Sequence, residues 1–389
     1  MNLPFDHGRL DSLMDESGVD VVVATTRFAL DHLLGGYRYF FFANMDAIGL
    51  SRYLPALAYP KGDAEAAFYV GCANEEWGTD VFPLWVPDVQ HRSWSSVDTA
   101  YAVVEGLRKR RQDSGTVAVE KAFLPADAWE VLRAELPEVE FVDARRILEG
   151  VRAVKSDREL DLVRTASAGI IDAMDATFAA SGPGETKTEI VERFRREQTG
   201  RGMVFDYCLV STGAEFNRAP SNRVWREGEA LSLDSGGMYR GYIGDLARMG
   251  VAGEPTPLMT ELLAEVESVQ QASRRPVAPG RPGGEIFAAA EAALAGCPHA
   301  GEMFFVAHGM GLITHEAPRL TATGPVPYPA DHAGTPLEAG MVLSLETTMA
   351  HPEVGIVKLE DTLIVTAGGW EAPGDRARGW NRPRSGGRR

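Results

Sequence analysis

The chain has 389 residues, 44% hydrophobic and 24% charged, which is enough for two or more domains with cores of their own and too apolar for a disordered protein. Its 55 acidic residues against 39 basic ones leave a net charge of −16, a surface that repels phosphate backbones and anionic headgroups and so argues against nucleic acid and membranes as partners. Cys72, Cys208 and Cys297 are too few and too scattered for a disulfide framework or a CxxC metal site. With no signal-like N-terminus and no run approaching 18 apolar residues, the expectation is a cytoplasmic protein.

In the first 150 residues two periods alternate. Segments 19–25 (VDVVVAT), 56–60 (ALAYP), 66–71 (AAFYVG) and 116–121 (TVAVEK) are short β-branched or aromatic runs bounded by Gly, Pro or charge, and they predict strands. Segments 97–111 and 125–137 space apolar residues three and four apart and predict amphipathic helices, so residues 1–150 read as an α/β domain. The aromatic cluster at 36–53 reads as core of that domain, with a surface that covers a cleft or packs on a second subunit as the alternative. Ser156 and Glu159 form a capping box that opens a long helix, whose apolar stripe runs through Leu160, Val163, Ile170, Met174 and Phe178 to Gly182–Gly184.

Residues 183–190 (PGETKTEI) and 279–286 (PGRPGGEI) share the pattern P-G-x-x-x-x-E-I. Each copy follows a long helix, opens another, and precedes an apolar strand, at 205–210 and 303–308. An order of helix, turn, helix and strand that occurs twice predicts a second domain, 151–370, built from two related halves with a site where they meet. The terminal stretch 371–389 is rich in Arg, Gly and Pro without periodicity, and it reads as a mostly disordered tail.

Four acids stand out by context rather than by spacing. Asp234 ends an apolar strand, a Gly-rich turn follows, and Asp245 sits in the returning segment. The same shape recurs with Glu346 and Glu360. An acid inside an apolar strand is costly to bury unless it is paired, hydrogen-bonded or bound to a cation. With His308 at the end of another strand, four carboxylates and an imidazole suit two divalent cations, of Mn, Co, Fe or Zn, roughly 3.5 Å apart.

These motifs, LDSGG at Asp234, GYIGDLAR at Asp245, HGMGLITHEAP from His308, LSLET at Glu346 and KLEDTLIV at Glu360, resemble those of the creatinase and Xaa-Pro peptidase family, which includes prolidase and aminopeptidase P. The resemblance covers nearly the whole chain except the Arg-rich tail. It implies an α/β creatinase-like N-terminal domain and an α+β pita-bread catalytic domain with two pseudo-symmetric halves. It also implies that Asp234 chelates one metal, that Asp245 and Glu360 bridge both, and that His308 and Glu346 bind one each. A metal-bridging hydroxide would then attack the amide of a short Xaa-Pro type peptide, with His315 steadying the oxyanion and Glu346 passing the proton to the leaving amine. A homodimer is part of the same expectation.

The chain also departs from the family pattern. Asn217 stands where such enzymes present a substrate-facing His, Thr347-Thr348 follows Glu346 in place of Pro-Gly, Ala247 replaces a common Thr, and Lys358 replaces an Arg two residues before the last Glu. Asn217, His315, Lys358 and Tyr242 are the expected substrate-binding residues, and Tyr242 and Arg248, which flank Asp245, are also expected to orient it. Asn hydrogen-bonds but does not titrate, and Lys is a point charge without a bidentate fork. The same site acting on a small non-peptide amide or amidine, or as a lyase, is the alternative. A non-catalytic binding module is the third reading, opposed by five intact ligands.

Overall fold

The computed structural model describes residues 3–47, 49–321 and 329–384 and divides into two compact units, Met1–Arg152 and Ala153–Arg389. No described helix is long and apolar enough to cross a membrane.

The first unit is a six-stranded sheet flanked by helices. Its strands are β1 (Val21–Ala24), β2 (Ala56–Pro60), β3 (Phe68–Cys72), β4 (Asp88–Ser93), β5 (Gly115–Val119) and β6 (Val139–Asp143). They run in the order β4-β3-β2-β1-β5-β6. Helices α1 (His7–Glu16), α2 (Arg27–Leu33), α3 (Glu76–Val81), α4 (Ser96–Lys109), α5 (Ala126–Glu135) and α6 (Arg145–Ala153) complete it, and the unit boundary falls at the end of α6. Central strands such as β1 are buried on both faces and therefore read as continuous apolar runs, whereas the edge strands β4 and β6 are half-exposed and polar. The aromatic cluster does join the core through Tyr37, Phe42 and Tyr53, while Phe40 stays exposed.

Glu75 is buried in this cluster. Its carboxylate accepts from the hydroxyls of Tyr37, Tyr53 and Tyr69 and from the Cys72 amide. Burial pushes the carboxyl up to about 7, although the Cys72 amide and Tyr37 pull the other way.

In the second unit, helices α7 (Asp157–Ala180), α8 (Lys187–Gly200), α9 (Pro257–Arg274) and α10 (Glu285–Leu294) accompany one large sheet. Its strands are β7 (Val204–Phe205), β8 (Leu209–Thr212), β9 (Ala230–Tyr239), β10 (Tyr242–Val251), β11 (Met303–Gly309), β12 (Val342–His351), β13 (Gly355–Thr366) and β14 (Gly369–Glu371). The spatial order is β11-β12-β13-β10-β9-β7, with β8 on β9 and β14 on β13. Two helices followed by strands thus occur twice along the chain, and each copy ends in an antiparallel hairpin, β9/β10 and β12/β13. The first hairpin turns through Arg240 and Gly241, both at positive φ, as a tight two-residue turn requires. The capping box of Ser156 and Glu159 opens α7.

Alternation along these strands separates two faces. Leu231, Leu233, Leu246, Leu345, Leu359 and Leu363 carry the apolar side, buried with α7, α8 and α9. The same helix-covered side holds Asp361, whose carboxylate meets Arg248, Arg274 and Arg378 and accepts from the Gln270 amide. Burial opposes ionisation, but the three guanidinium groups hold Asp361 far below the usual carboxylate range.

This network corrects one expectation. Residues 371–384 are not a disordered tail: β14 extends the sheet, Arg378 reaches Asp361 and Glu267, and Asn381 pairs with the backbone of β10. An Arg-rich sequence without periodicity is ordered here because its side chains find acids elsewhere in the unit: Arg378 meets the buried Asp361 and Glu267, Arg376 meets Asp172, and Arg382 meets Glu254. Residues 385–389 lie outside the described residues.

Two outcomes are expected. Asp361→Asn leaves three guanidinium groups around a neutral side chain and should cost about 3–5 kcal/mol, read as a lower melting temperature with new tryptic cleavage at Arg376 and Arg378. Because the folded Glu75 carboxyl keeps its proton up to about 7 while the unfolded one loses it near the ordinary 4.5, its contribution to stability falls as pH rises across that window and is flat above it. The difference in stability between the wild-type chain and Glu75→Gln should follow that slope, and a difference independent of pH would disprove it.

Candidate metal centre

The register of the sheet builds the site. Asp234 on β9 faces Ala247 on β10, Ala247 faces Glu360 on β13, and Glu360 faces Glu346 on β12, so one row across four strands carries three acids. Two residues along, a second row carries Asp245 opposite Gly236 and His308 opposite Ser344. Every one of these side chains lies on the face away from the apolar leucines. Asp234, Asp245, His308 and Glu360 are buried, whereas the Glu346 side chain is 12% exposed and is the most accessible of the four acids.

Sequence positions up to 126 residues apart thereby converge. Donor atoms of Asp245, His308 and Glu360 lie within 4.8 Å of one another, and so do those of Asp234, Glu346 and Glu360. Glu360 belongs to both triads. Its Oε1 accepts from Ser344 Oγ at 2.8 Å, and its buried Oε2 lies 2.8 Å from the Lys358 ammonium. Buried carboxylates crowded this closely call for cations. Carboxylates with one imidazole are a donor set for a divalent metal ion, and the residues therefore fit the group that the motifs imply.

The electrostatics agree. Burial pushes the Asp245 carboxyl up to about 8, helped by the nearby Asp234 charge, even though Tyr207 donates to Asp245 Oδ1 at 2.6 Å. Burial and Asp245 likewise hold Glu360 well above its ordinary value. Asp234 goes the other way: burial works to raise it, but Lys358 and Arg218 outweigh burial and hold it low. His308 is pushed down to about 4, chiefly by burial, so its imidazole is neutral and can lend an electron pair.

His315 stacks on His308 with ring centroids 3.7 Å apart and planes 20° from parallel. Burial and His308 push it down to about 3, so it too is a neutral imidazole, half-buried beside the acids. The loop that carries it folds back on β11. Gly309 and Glu316 are bridged by backbone hydrogen bonds, and a Cβ on Gly309 would collide with the Ala317 backbone. Glu316 is pinned by a buried ion pair with Lys155 at 3.1 Å. The HGMG sequence is thus what lets the imidazole reach His308.

Three expected substrate contacts are placed differently. Tyr242 lies one residue out of phase with Asp245, so its side chain leaves β10 on the helix-covered face, where the hydroxyl donates to Glu159 at the start of α7. Asn217 is exposed, and its Oδ1 accepts from the Ala219 amide at 3.0 Å. Its neighbour Arg218 makes the contact with the site, pairing with Asp234. Lys358 is buried inside the site, its ammonium paired with Asp234, with Glu346 at 2.5 Å and with Glu360 at 2.8 Å.

Arg248 also points away, to Asp361. Trp225 is core. His351 is buried at the end of β12 beside His299, which pairs with Glu265. Sequence reasoning did not single out Tyr207 and Arg218. Tyr207 was hidden in a run that reads as apolar strand, and Arg218 was one position from the residue selected. Ser344 was legible by parity from Glu346.

Comparison with known proteins agrees with this fold and its motifs. Residues 161–367 match the model of metallopeptidase family M24, and residues 7–154 match the creatinase/prolidase N-terminal domain. A relative named Xaa-Pro dipeptidase, from Lactobacillus delbrueckii subsp. lactis, is 25% identical over 381 residues, 93% of this chain and 95% of its own length. Among solved structures, an Xaa-Pro dipeptidase from Bacillus anthracis superposes with a TM-score of 0.79 at 20% identity, covering 96% of this chain and 98% of that one. The dipeptidase PepE from Mycobacterium ulcerans does so with a TM-score of 0.77 at 24% identity, covering 96% of both chains. The chain belongs to metallopeptidase family M24 and has the pita-bread fold with a creatinase-like N-terminal domain.

Proposed function

We propose that this chain is a metal-dependent dipeptidase that hydrolyses short peptides of the Xaa-Pro type. The observation that carries the reading is the pair of donor triads sharing Glu360 on one buried sheet face. The names of the relatives supply the substrate class. In this reading Asp245, His308 and Glu360 hold a divalent ion of the Mn, Co, Fe or Zn type. Asp234, Glu346 and Glu360 have the donors for a second, in a place that already contains the Lys358 ammonium. A divalent ion held there supplies Lewis acidity and acidifies a coordinated water to near neutral pH.

The remaining work falls to this chain's own groups. His315, neutral and half-buried next to His308, donates a hydrogen bond to the oxyanion that develops on the substrate carbonyl. Glu346 accepts a proton from the attacking water and hands it to the leaving nitrogen. It suits this role because it is the most accessible acid of the cluster, with Oε1 4.0 Å from His308 Nε2. Tyr207 and Ser344 fix the Asp245 and Glu360 carboxylates by hydrogen bonds, so the donors are held ready for the ion.

The test is hydrolysis of Xaa-Pro dipeptides by the metal-loaded full chain. Chelation should abolish turnover and readdition of metal should restore it, and His308→Ala should lose bound metal and activity together. His315→Asn should lower kcat by about 10²-fold with metal content unchanged. Turnover that survives chelation would sink the metal-dependent reading. Inert Xaa-Pro peptides with turnover of a small amide would sink the substrate class alone.

A further inference from the structure

We infer that the ammonium of Lys358 is the resident cation of the Asp234–Glu346–Glu360 place, so that this chain takes a single divalent ion, held by Asp245, His308 and Glu360. This deepens the metal-dependent reading above and rests on it.

The contacts come first. Lys358 Nζ meets every acid of that triad and lies 2.5 Å from Glu346 Oε2 and 2.8 Å from Glu360 Oε2. Register explains how it gets there. Lys358 is two residues before Glu360 on β13 and therefore on the same face, opposite Thr348, one row beyond the acids. A Lys side chain spans about one such step and reaches back into the row. The position between Asp234 and Glu360 in that row is Ala247, whose methyl leaves the space open. A compact ammonium fits among three carboxylates where a planar guanidinium would need a wider slot.

Charge gives the second argument. The four carboxylates of the cluster face two cationic side chains, Lys358 and Arg218, and both cations engage the same oxygen, Asp234 Oδ2. With all four carboxylates ionised, as ligation requires, two negative charges are left over in a buried site, which one divalent ion cancels. A second ion would leave a buried surplus of positive charge while Lys358 stayed, and such a surplus is heavily penalised away from water. Nor is there an easy exit, since the Lys358 side chain is only 3% exposed and its backbone amide is held by Met249. In the His308 triad, by contrast, Lys358 is paired with Glu360 alone, and Asp245 accepts from the Tyr207 hydroxyl.

The experiment counts ions. Full-length chain stripped with chelator is reloaded with excess Mn²⁺, desalted, and measured both for Mn per chain by elemental analysis and by electron paramagnetic resonance. The expected result is one Mn per chain with the signal of an isolated ion. Lys358→Met should take up a second Mn and show the signal of an exchange-coupled pair, and His308→Ala should bind none. Two coupled ions in the wild-type chain would overturn the inference and leave the metal-dependent reading standing, whereas no bound Mn in the wild type would overturn both. Lys358→Met staying at one ion, or His308→Ala retaining its ion, would also overturn the assignment. Should Lys358→Met not fold, the wild-type count and spectrum decide the matter alone.

Discussion

Four carboxylates facing one another on a buried sheet face repel, and the catalytic unit is organised around meeting that repulsion with cations. Asp234, Asp245, Glu346 and Glu360 cannot all be ionised in such a place without compensation. The protein supplies part of it through Lys358 and Arg218, and hydrogen bonds from Tyr207 and Ser344 steady the carboxylates that remain. The shortfall is what makes the site able to take a metal ion. Helices on the opposite face make the arrangement affordable, because the apolar alternate residues of the same strands bury there and fix the register that lines up the acids.

Strand β13 contains the contrast in two adjacent residues. Glu360 and Asp361 are both buried acids, yet alternation sends them to opposite faces. Asp361 meets three guanidinium groups and an amide, so its charge is fully answered within the protein and it serves to hold α9 and residues 371–384 in place. Glu360 faces other acids and meets one ammonium, Lys358, which it shares with Asp234 and Glu346. A closed network marks a structural ion cluster, and an open one marks a place for a ligand. Composition around KLEDT does not tell the two acids apart, whereas the family motif and the alternation of the strand do. Their distinction comes from which face each one reaches.

The His308–His315 stack shows how a loop becomes part of a site. His308 comes from the end of β11, and the next turn has no side chain at Gly309 or Gly311, which lets residues 314–318 fold back over the strand. The buried Lys155–Glu316 pair anchors that return. Both imidazoles are kept neutral by burial, which suits one as a donor to a cation and the other as a hydrogen-bond donor to substrate.

Much was legible from the sequence because it is encoded in local, periodic signals. The strand at 56–60, the one read at 66–71 and found at Phe68–Cys72, the capping box at Ser156, the repeated two-helix pattern and the five motif residues were all readable, and the motifs point to the family. The strands β4 and β6 were not, because edge strands with one wet face carry Asp, Gln, His, Arg and Glu and lack an apolar run. The Arg-rich end had no internal period, and its order comes from distant partners: Asp361 and Glu267 for Arg378, Asp172 for Arg376, and the β10 backbone for Asn381. Tyr242 faces away from the acids because proximity along the chain does not say which face of a strand a side chain leaves by. The sequence by itself determined which residue types were available and the period on which they recur. Only the tertiary structure decided which of them share a face, and therefore that Lys358 stands among the acids, since an ammonium and three carboxylates from three strands become neighbours through register alone.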